Sequence, residues 1–325
     1  MMDRNRTIAW LADSDPSIRW QLMCDLLDEP ESEWMPVRAS VETAGWGAQL
    51  LSHQDEDGQW AGGAFLPRGF TGKEWQEEGQ PWTATCWALQ HLREFGLDPA
   101  SPRARRMVEL IRDNSRWDHD GQAYWEGEVE ECINGRTVAA GAYFGVDVSA
   151  IVDRLVTEIQ PDGGWNCERC NGSQRSSFDS TINVLEGLLE FERASGGTAA
   201  SRAARESGEE YLLRRQLSRR LSTGDTACDR FLRLQSPNRW SYTVLRALDY
   251  FRAASVLAGA APDERLSEAV TYLRERQSAD GTWPLDWKEN GRVWFEMDKG
   301  IGQPSPWITL RALRVVEWWN RHMPE

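Results

Sequence analysis

The 325-residue sequence has no run of 18 apolar residues, so it is not predicted to contain a transmembrane helix. Its first residues, MMDRNRTIAWLADSDP, lack the apolar core and the small-residue cleavage site of a signal peptide. There are only six cysteines, and without an export signal we expect them to be thiols and not disulfides. These absences lead us to expect a cytoplasmic protein.

Positive charge is also scarce. Lys and Arg number 37 against 51 Asp and Glu, which gives a net charge of −14 and a pI of about 4.9. A general nucleic-acid binder needs a dense basic face, so nucleic acid is not an expected partner. The sequence does not indicate an oligomeric state.

The alternation typical of β-strands is nearly absent, whereas apolar residues recur at helical spacing along most of the chain. Helices with one charged side are predicted at about 33–53, 101–114, 148–159, 199–220 and 263–277. More apolar helices alternate with them, at about 82–95, 131–145, 178–194, 240–258 and 305–322. The first kind fits an outer ring of helices and the second kind fits an inner ring.

An opening pair of helices, at about 5–12 and 16–28, brings the total to six pairs. The sequence therefore predicts an all-α, single-domain α/α toroid, in which residues 1–30 form the opening pair and residues 31–325 form five helix-pair repeats. Long connections join the outer helices to the inner ones that follow. They span residues 60–81, 115–131, 166–177 and 283–304, and we expect them to gather at one end and line a functional mouth.

Tryptophan is abundant, with 18 copies, and three of them end the same Gln…Asp-Gly-x-Trp motif. The motifs run from Gln54 to Trp60, from Gln160 to Trp165 and from Gln277 to Trp283. The motifs start at residues 54, 160 and 277, so successive starts are 106 and 117 residues apart. This interval is about twice the length of one helix-turn-helix unit. A motif repeated at this interval is typical of a fold built by stacking similar units.

On these motifs and on the paired-helix period, over about residues 30–322, the chain resembles the terpene cyclase and prenyltransferase superfamily. That superfamily includes squalene–hopene cyclases and the β subunits of protein prenyltransferases, and the chain looks most like its short, single-domain bacterial members. The resemblance implies that the motif Gln and Trp residues brace the outer helices. It also implies an apolar, isoprenoid substrate in an aromatic-lined cavity. The expected substrate-binding side chains are Trp82, Tyr143, Phe178, Trp294 and Trp307.

Class II terpene cyclases protonate an alkene with the middle Asp of an Asp-x-Asp-Asp-Thr segment. The chain lacks this segment, but Ser177-Phe178-Asp179-Ser180-Thr181 has the same frame, and Asp179 matches the proton donor. The alternative is that Asp179 caps its helix. The Asp-Asp-x-x-Asp motif that binds Mg²⁺ in class I enzymes does not occur in the sequence.

A second pair of candidate catalytic acids lies in the last long connection. Glu296 and Asp298 alternate with Phe295 and Met297, so both carboxylates face one side of an extended segment. Two carboxylates that share a site raise the pKa of one of them, which would supply a general acid. The alternative is a solvated loop anchored by Trp294 and Phe295.

Protein prenyltransferase β subunits bind Zn²⁺ through Asp, Cys and His, and that ligand pattern is not intact here. Other soft ligands are present, since Cys132 opens one inner helix and Cys167-x-x-Cys170 precedes the next. His119 lies in the loop before Cys132. Together with Asp179 these residues would suit a catalytic zinc with an open position. The alternative is a set of inert thiols.

The sequence thus favours a terpene cyclase-like or prenyltransferase-like enzyme for an apolar small molecule, with Zn²⁺ as a candidate cofactor. One alternative is a non-catalytic binding or scaffold toroid that has lost the acid motif. The other is a carbohydrate-active hydrolase or lyase, in which Asp179 and Glu296 would be the two carboxylates.

Overall fold

A computed structural model of the chain describes residues 4–323. Every regular element in this range is a helix, and backbone pairing outside the helices is limited to isolated bridges. The prediction of an all-α protein is therefore confirmed. Within the same range, no helix combines the length and the apolar character that a membrane span requires.

The structure contains the following α-helices, in chain order: α1 Arg4–Ala12, α2 Pro16–Asp25, α3 Glu31–Ala39, α4 Gly45–Ser52, α5 Gly72–Glu78, α6 Thr85–Phe95, α7 Pro102–Asn114, α8 Glu131–Tyr143, α9 Ser149–Thr157, α10 Phe178–Ser195, α11 Ala199–Leu213, α12 Val244–Ala258, α13 Ser267–Glu275 and α14 Pro306–His322. Short 3-10 helices lie at Ser40–Glu42, Tyr124–Glu126, Cys167–Asn171, Asp229–Leu232 and Glu264–Leu266.

Several predicted boundaries need correction. The helix predicted over 33–53 is divided into α3 and α4, and Gly45, where α4 begins, has a φ of +65°. A residue with positive φ cannot continue an α-helix, so the chain changes direction there. The helix predicted to reach residue 220 ends at Leu213. The connection 60–81 is not purely a loop, because it contains α5.

The α5 helix begins with a capping box that the sequence analysis missed. The Thr71 hydroxyl accepts a hydrogen bond from the Glu74 backbone N–H, and the Glu74 carboxylate accepts one from the Thr71 N–H at 2.8 Å. This reciprocal pair satisfies two backbone donors that a helix start otherwise leaves without partners. A seven-residue helix thus forms inside a polar connection that has little apolar periodicity.

The chain forms two compact units, which we describe separately. Within the described residues, unit 1 comprises residues 4–38, 210–289 and 297–323. Unit 2 comprises Ala39–Glu209 and Asn290–Glu296. The single domain and the closed toroid of six helix pairs remain predictions.

The tryptophans of the three repeated motifs have the same local structure. Each is almost fully buried, and its indole Nε1 donates a hydrogen bond of 2.8–2.9 Å to a carbonyl ten residues earlier. Each Trp backbone N–H donates to a Thr hydroxyl in the next long helix, at 3.0–3.1 Å. The hydroxyls belong to Thr85, Thr181 and Thr309. Every motif therefore connects one helix to the next long helix.

The motif glycines and glutamines complete these turns. The glycine two residues before each Trp has a positive φ, between +86° and +104°, which an L-residue rarely adopts. Gln54 and Gln277 each donate a side-chain hydrogen bond to the carbonyl of the motif glycine four residues later, at 3.0 and 2.9 Å. The side chain of Gln160 has no such bond; its backbone N–H donates to the Gly164 carbonyl instead.

A buried ion cluster joins three separate segments of unit 1. Arg314 donates to Asp25 at 2.8 Å and to Asp249 at 2.9 Å, and Arg252 donates to Asp249 at 2.8 Å. Burial raises the pKa of Asp249, but the charges of Arg314, Arg252 and Arg311 lower it by more, to about 2. Asp249 is therefore a carboxylate at neutral pH and stabilises the unit through these arginines.

Within unit 2, α8 packs against both α6 and α10 and is buried on nearly every side. The α7 helix buries only the stripe Ala104, Met107, Val108 and Ile111, as expected of a helix with one polar face. The two predicted kinds of helix are therefore both present in this unit.

The α8 and α10 helices approach each other until their backbones touch. A Cβ added to Gly135 would lie 2.4 Å from the Asn183 carbonyl oxygen, and one added to Gly187 would lie 2.3 Å from the Gly135 carbonyl oxygen. Atoms at these distances overlap, so only glycine fits at either position. This contact sets the spacing between the two helices.

Asp249→Asn should lower the free energy of unfolding by about 2 kcal/mol at neutral pH, since a pKa shift of one unit corresponds to about 1.4 kcal/mol. The pKa of Asp249 is depressed in the folded chain, so its contribution is present above about pH 4 and is lost as the pH falls towards 2. Urea unfolding, monitored by circular dichroism at several pH values from about 7 to 2, measures this contribution as the stability difference between wild type and variant. The exposed Asp113→Asn is the control. A difference from wild type that did not shrink at low pH would contradict this account.

Gly135→Ala should destabilise the protein by about 1–3 kcal/mol, because the added methyl overlaps the Asn183 carbonyl. Gly72→Ala is the matched control, since Gly72 is exposed and a Cβ there would meet no atom within 4 Å. In a helix that control should be neutral or stabilising by up to about 1 kcal/mol. Equal stability of the two variants in urea unfolding would show that the helices can separate without cost.

Candidate functional site

The candidate site lies in unit 2, where α8 and α10 both begin. Cys132 is the second residue of α8, and Cys167 begins the 3-10 helix that precedes α10. The carboxylate of Glu130 and the sulfur atoms of Cys132 and Cys167 lie within 4.8 Å of one another. The structure thus brings two predicted metal ligands together and adds a carboxylate.

Hydrogen bonds fix both sulfur atoms. The Cys167 sulfur accepts from the Cys132 backbone N–H at 3.3 Å and from the Ser180 hydroxyl at 3.2 Å. The Cys132 thiol donates to Glu130 Oε2 at 3.6 Å. These three bonds hold the two sulfur atoms beside each other and beside the Glu130 carboxylate.

Cys132 is a protonated thiol at neutral pH. The hydrogen bond with Cys167, burial and the charge of Cys167 raise the pKa of Cys132 well above 9.0, and the charge of Arg136 opposes part of this shift. An ion that binds both sulfurs would have to displace the proton of Cys132, so its affinity should increase with pH.

Polar contacts hold the Glu130 loop in place. Glu128 Oε2 accepts from the Glu130 N–H at 2.7 Å, and the Asn134 side chain exchanges two hydrogen bonds of 2.7 Å with the Glu128 backbone. Arg154 donates to the carbonyls of Glu128 and Val129 at 2.6 and 2.8 Å. The loop that leads into α8 is therefore rigid, and it presents Glu130 to the sulfurs.

A further ion pair fixes the segment that contains Cys167. Arg169 donates to Glu131 at 2.5 Å and to Glu158 at 2.6 Å. Burial raises the pKa of Glu131, whereas the hydrogen bond from Arg169 lowers it; the net shift is upward. Since Glu131 lies between Glu130 and Cys132, this pair holds the 3-10 helix of Cys167 against the start of α8.

The other predicted metal ligands lie outside the three-residue group. Cys170 is exposed, and its thiol donates to the Cys167 carbonyl at 3.4 Å. His119 is also exposed and faces Asp120 at 3.8 Å. Asp179 is half-buried in the first turn of α10. Among residues 4–323, the only His, Cys, Asp and Glu side chains that form a metal-sized group are Glu130, Cys132 and Cys167.

The expectation that Asp179 caps its helix is wrong. The N-cap of α10 is Ser177, whose hydroxyl accepts from the Ser180 backbone N–H at 3.0 Å. Asp179 lies two residues inside the helix, and its backbone carbonyl accepts from Asn183 at 2.7 Å. Its role as an acid stays a prediction.

Two predicted substrate-binding tryptophans lie near each other in unit 2. Trp82 Nε1 donates to the Asn290 carbonyl at 2.6 Å, and Trp294 Nε1 donates to the Thr83 carbonyl at 3.1 Å. The Trp82 ring also meets Trp87 edge-on, with the centroids 4.7 Å apart. The segment before α6 is thereby fixed to a part of the chain more than 200 residues away in sequence.

The remaining predicted residues are more scattered. Phe178 is buried as the first residue of α10. Tyr143 ends α8, about 16 Å along the helix from Cys132, and donates to the Leu97 carbonyl at 2.8 Å. Trp307 belongs to unit 1. Their roles in substrate binding stay predictions.

The two acids of the last connection fall in different units. Glu296 is exposed and belongs to unit 2, whereas Asp298 is half-buried and belongs to unit 1. Their role as a catalytic pair stays a prediction.

The sequence analysis missed Glu130, Ser180 and Arg136 as members of this site. Arg136 follows Cys132 by one helical turn, so helical spacing could have drawn attention to it. Glu130 lies in the loop before α8, where helical spacing gives no such signal. Ser180 carried no such signal. Its contact with Cys167 depends on how the 3-10 helix folds back onto α10.

Comparisons with known proteins leave the assignment open. No family model and no curated protein matches the sequence. The structure is similar to a protein from Actinoplanes, with 16% identity, a TM-score of 0.48, and coverage of 97% of this chain and 98% of that one.

The structure is also similar to two structures of the type II terpene cyclase MstE from Scytonema. A variant in complex with its substrate, geranylgeranyl dihydroxybenzoate, has 15% identity, a TM-score of 0.48, and coverage of 98% and 97%. The apo enzyme has 15% identity, a TM-score of 0.42, and coverage of 96% of both chains. Because these three TM-scores are below 0.5, neither a family nor an activity follows from these similarities.

Alkylation should distinguish the thiols. At about pH 7.5, iodoacetamide should modify the exposed Cys170 and Cys228 first and Cys132 at least about tenfold more slowly, because each unit of raised pKa lowers the thiolate fraction about tenfold. Peptide mass spectrometry over a time course gives the three rates. Above about pH 9 the rate for Cys132 should approach the rates for the two exposed cysteines. A rate for Cys132 equal to that for Cys170 would contradict the raised pKa.

Proposed function

We propose that the protein is a zinc-dependent enzyme that converts an apolar, isoprenoid substrate by prenyltransferase-like or terpene cyclase-like chemistry. The observation that carries this proposal is the group formed by Glu130, Cys132 and Cys167. The class of substrate is supported by the three Gln…Gly-x-Trp motifs, which share one local structure and carry the resemblance to that superfamily.

The donor set fits zinc. Two sulfurs and one carboxylate suit a borderline-soft cation, and three protein ligands leave a fourth position open, as in catalytic zinc sites. In a tetrahedral site with Zn–S bonds of about 2.3 Å, the ligand atoms lie about 3.8 Å apart. The three atoms here lie within 4.8 Å of one another. Side-chain rotations that move each atom by about 1 Å would therefore bring all three to zinc-binding distance. When bound, zinc would lower the pKa of a thiol or water at the open position.

The residues of the chain would orient this site and bind the substrate. Ser180 and the Cys132 N–H hold the Cys167 sulfur through hydrogen bonds, and the rigid loop presents Glu130. Trp82 and Trp87 are buried aromatic side chains of the same unit and pack edge-on against each other. Aromatic faces stabilise nearby positive charge, as isoprenoid chemistry requires.

Metal analysis is the first test. Purified protein reloaded with zinc and desalted should contain about one zinc per chain, and Cys132→Ala and Cys167→Ala should each lose it. Cys170→Ala, the same substitution three residues from Cys167, should retain the metal. Wild-type protein that binds no zinc would refute the proposal.

The second test is turnover. Zinc-loaded wild type and Cys170→Ala should form product from farnesyl or geranylgeranyl diphosphate with a small thiol acceptor, or from squalene, whereas Cys132→Ala and Cys167→Ala should not. Mass spectrometry of the products measures this. Tight binding of the isoprenoid without product would instead indicate a binding or scaffold protein.

An acid mechanism is a second candidate, because Asp179 lies half-buried in the first turn of α10, next to Ser180, which contacts the Cys167 sulfur. Squalene cyclisation that persists without zinc and is lost in Asp179→Asn would favour this mechanism over the zinc-dependent one.

A further inference from the structure

Three thiols of unit 2 lie in series between the protein surface and the candidate metal site. Cys170 is exposed, whereas Cys167 and Cys132 are half-buried, and none of the three is in a disulfide. Cys167 shares a 3-10 helix with Cys170 and contacts the first turn of α8 through Cys132. The proposed zinc site uses only Cys132 and Cys167, so it assigns no role to the exposed thiol.

The inner two sulfur atoms are close enough to be joined by side-chain rotation. Those of Cys132 and Cys167 lie within 4.8 Å of each other, and the S–S bond of a disulfide is about 2.05 Å long. The two segments already touch, since the Cys132 backbone N–H donates to the Cys167 sulfur at 3.3 Å. A disulfide between these residues would therefore join segments that the fold already holds side by side.

The outer two cysteines are placed for the same reaction by the 3-10 helix Cys167–Asn171. Such a helix has three residues per turn and rises about 2.0 Å per residue, so residues three apart share one face with Cα atoms about 6 Å apart. Disulfides span Cα distances of roughly 4.4–6.8 Å. The Cys170 thiol donates to the Cys167 carbonyl at 3.4 Å, so its sulfur already lies towards Cys167.

We infer that Cys170, Cys167 and Cys132 form a thiol–disulfide relay. In this relay the exposed Cys170 reacts with a small-molecule disulfide, and the oxidation passes inward to a Cys132–Cys167 disulfide. Cys167 is the shared member, because it contacts Cys132 and lies one 3-10 turn from Cys170. The relay stands apart from the proposed function, and only its consequence for zinc rests on that function.

The relay consists of three exchange steps, with oxidised glutathione as the oxidant. The Cys170 thiolate attacks one glutathione sulfur, forms a mixed disulfide and releases the first reduced glutathione. The Cys167 thiolate then attacks the Cys170 sulfur and releases the second. Finally, the Cys132 thiolate attacks the Cys167 sulfur and releases Cys170. Two electrons and two protons thus pass from Cys132 and Cys167 to the two glutathiones, and Cys170 is regenerated as a thiol.

The final disulfide and a bound zinc ion would exclude each other. Zinc binds cysteine as the thiolate, and a disulfide would remove two of the three ligands of the candidate metal site. Oxidation would therefore release zinc, and bound zinc would protect both thiols from oxidation.

Peptide mapping tests the relay without zinc or turnover. Reduced, metal-free protein is incubated with oxidised glutathione at about pH 8, free thiols are blocked with N-ethylmaleimide, and the protein is digested with trypsin. Cleavage after Arg116, Arg136, Arg154, Arg169 and Arg175 places the three cysteines on separate peptides, 117–136, 155–169 and 170–175.

Wild-type protein should end with peptides 117–136 and 155–169 joined by a disulfide and with Cys170 as a free thiol. Cys228 is the internal control, because it is exposed in unit 1 and its nearest cysteine in the sequence is Cys170. It should retain glutathione as a mixed disulfide, since no neighbouring thiol displaces it.

Three variants should stop the relay at different steps. Cys167→Ala should retain glutathione on Cys170, and Cys132→Ala should accumulate the Cys167–Cys170 disulfide. Cys170→Ala should form the Cys132–Cys167 disulfide at least about tenfold more slowly than wild type, because the exposed thiol that reacts first is missing. Cys228→Ala should follow the wild-type time course.

Two results would overturn the relay: wild-type protein that retains glutathione on Cys170 as it does on Cys228, or a Cys170→Ala variant that forms the inner disulfide as fast as wild type. The metal analysis keeps this inference separate from the proposed function. A relay in protein that binds no zinc would support the inference and refute the zinc enzyme. Stoichiometric zinc binding, with no disulfide among the three thiols of the metal-free protein, would do the reverse.

Discussion

The contact between α8 and α10 is the constraint on which the candidate site depends. Gly135 and Gly187 allow the two backbones to approach until a Cβ at either position would overlap a carbonyl oxygen. Because the helices are this close, their first turns lie side by side, and Ser180 of α10 reaches the sulfur of Cys167 while Cys132 of α8 donates to the same atom. A wider spacing would separate these groups and leave no three-ligand cluster.

Two buried arginines show two ways in which the chain accommodates a buried charge. Arg314 in unit 1 is bound by Asp25 and Asp249 and joins three distant segments. Arg136 in unit 2 is as deeply buried, yet it has only the face of Trp87 as a partner. Proteins tolerate such local violations mainly at functional sites.

Much of the helical structure could be predicted, because apolar periodicity is a local property that tertiary contacts seldom overrule. The proximity of Cys132 and Cys167 could also be anticipated, since each precedes or opens an apolar helix in neighbouring repeats. The cap of α10 could not be assigned by the same means. Ser177 and Asp179 are both good capping residues, and the choice between them depends on which backbone N–H the chain presents. Glu130 was missed because a loop has no period from which to infer where its side chains point.

The sequence by itself determined that the chain is helical, that three motifs recur in it and that its soft ligands precede the apolar helices. Helical periodicity and turn residues involve only a few neighbouring positions, so they can be recognised directly in the sequence. Only the tertiary structure decided which ligands meet, that Cys170 and His119 lie outside the group, and that Arg136 is buried without an ion-pair partner. Those outcomes depend on distances between segments far apart in the chain, and such distances are set by packing, above all by the two glycines between α8 and α10.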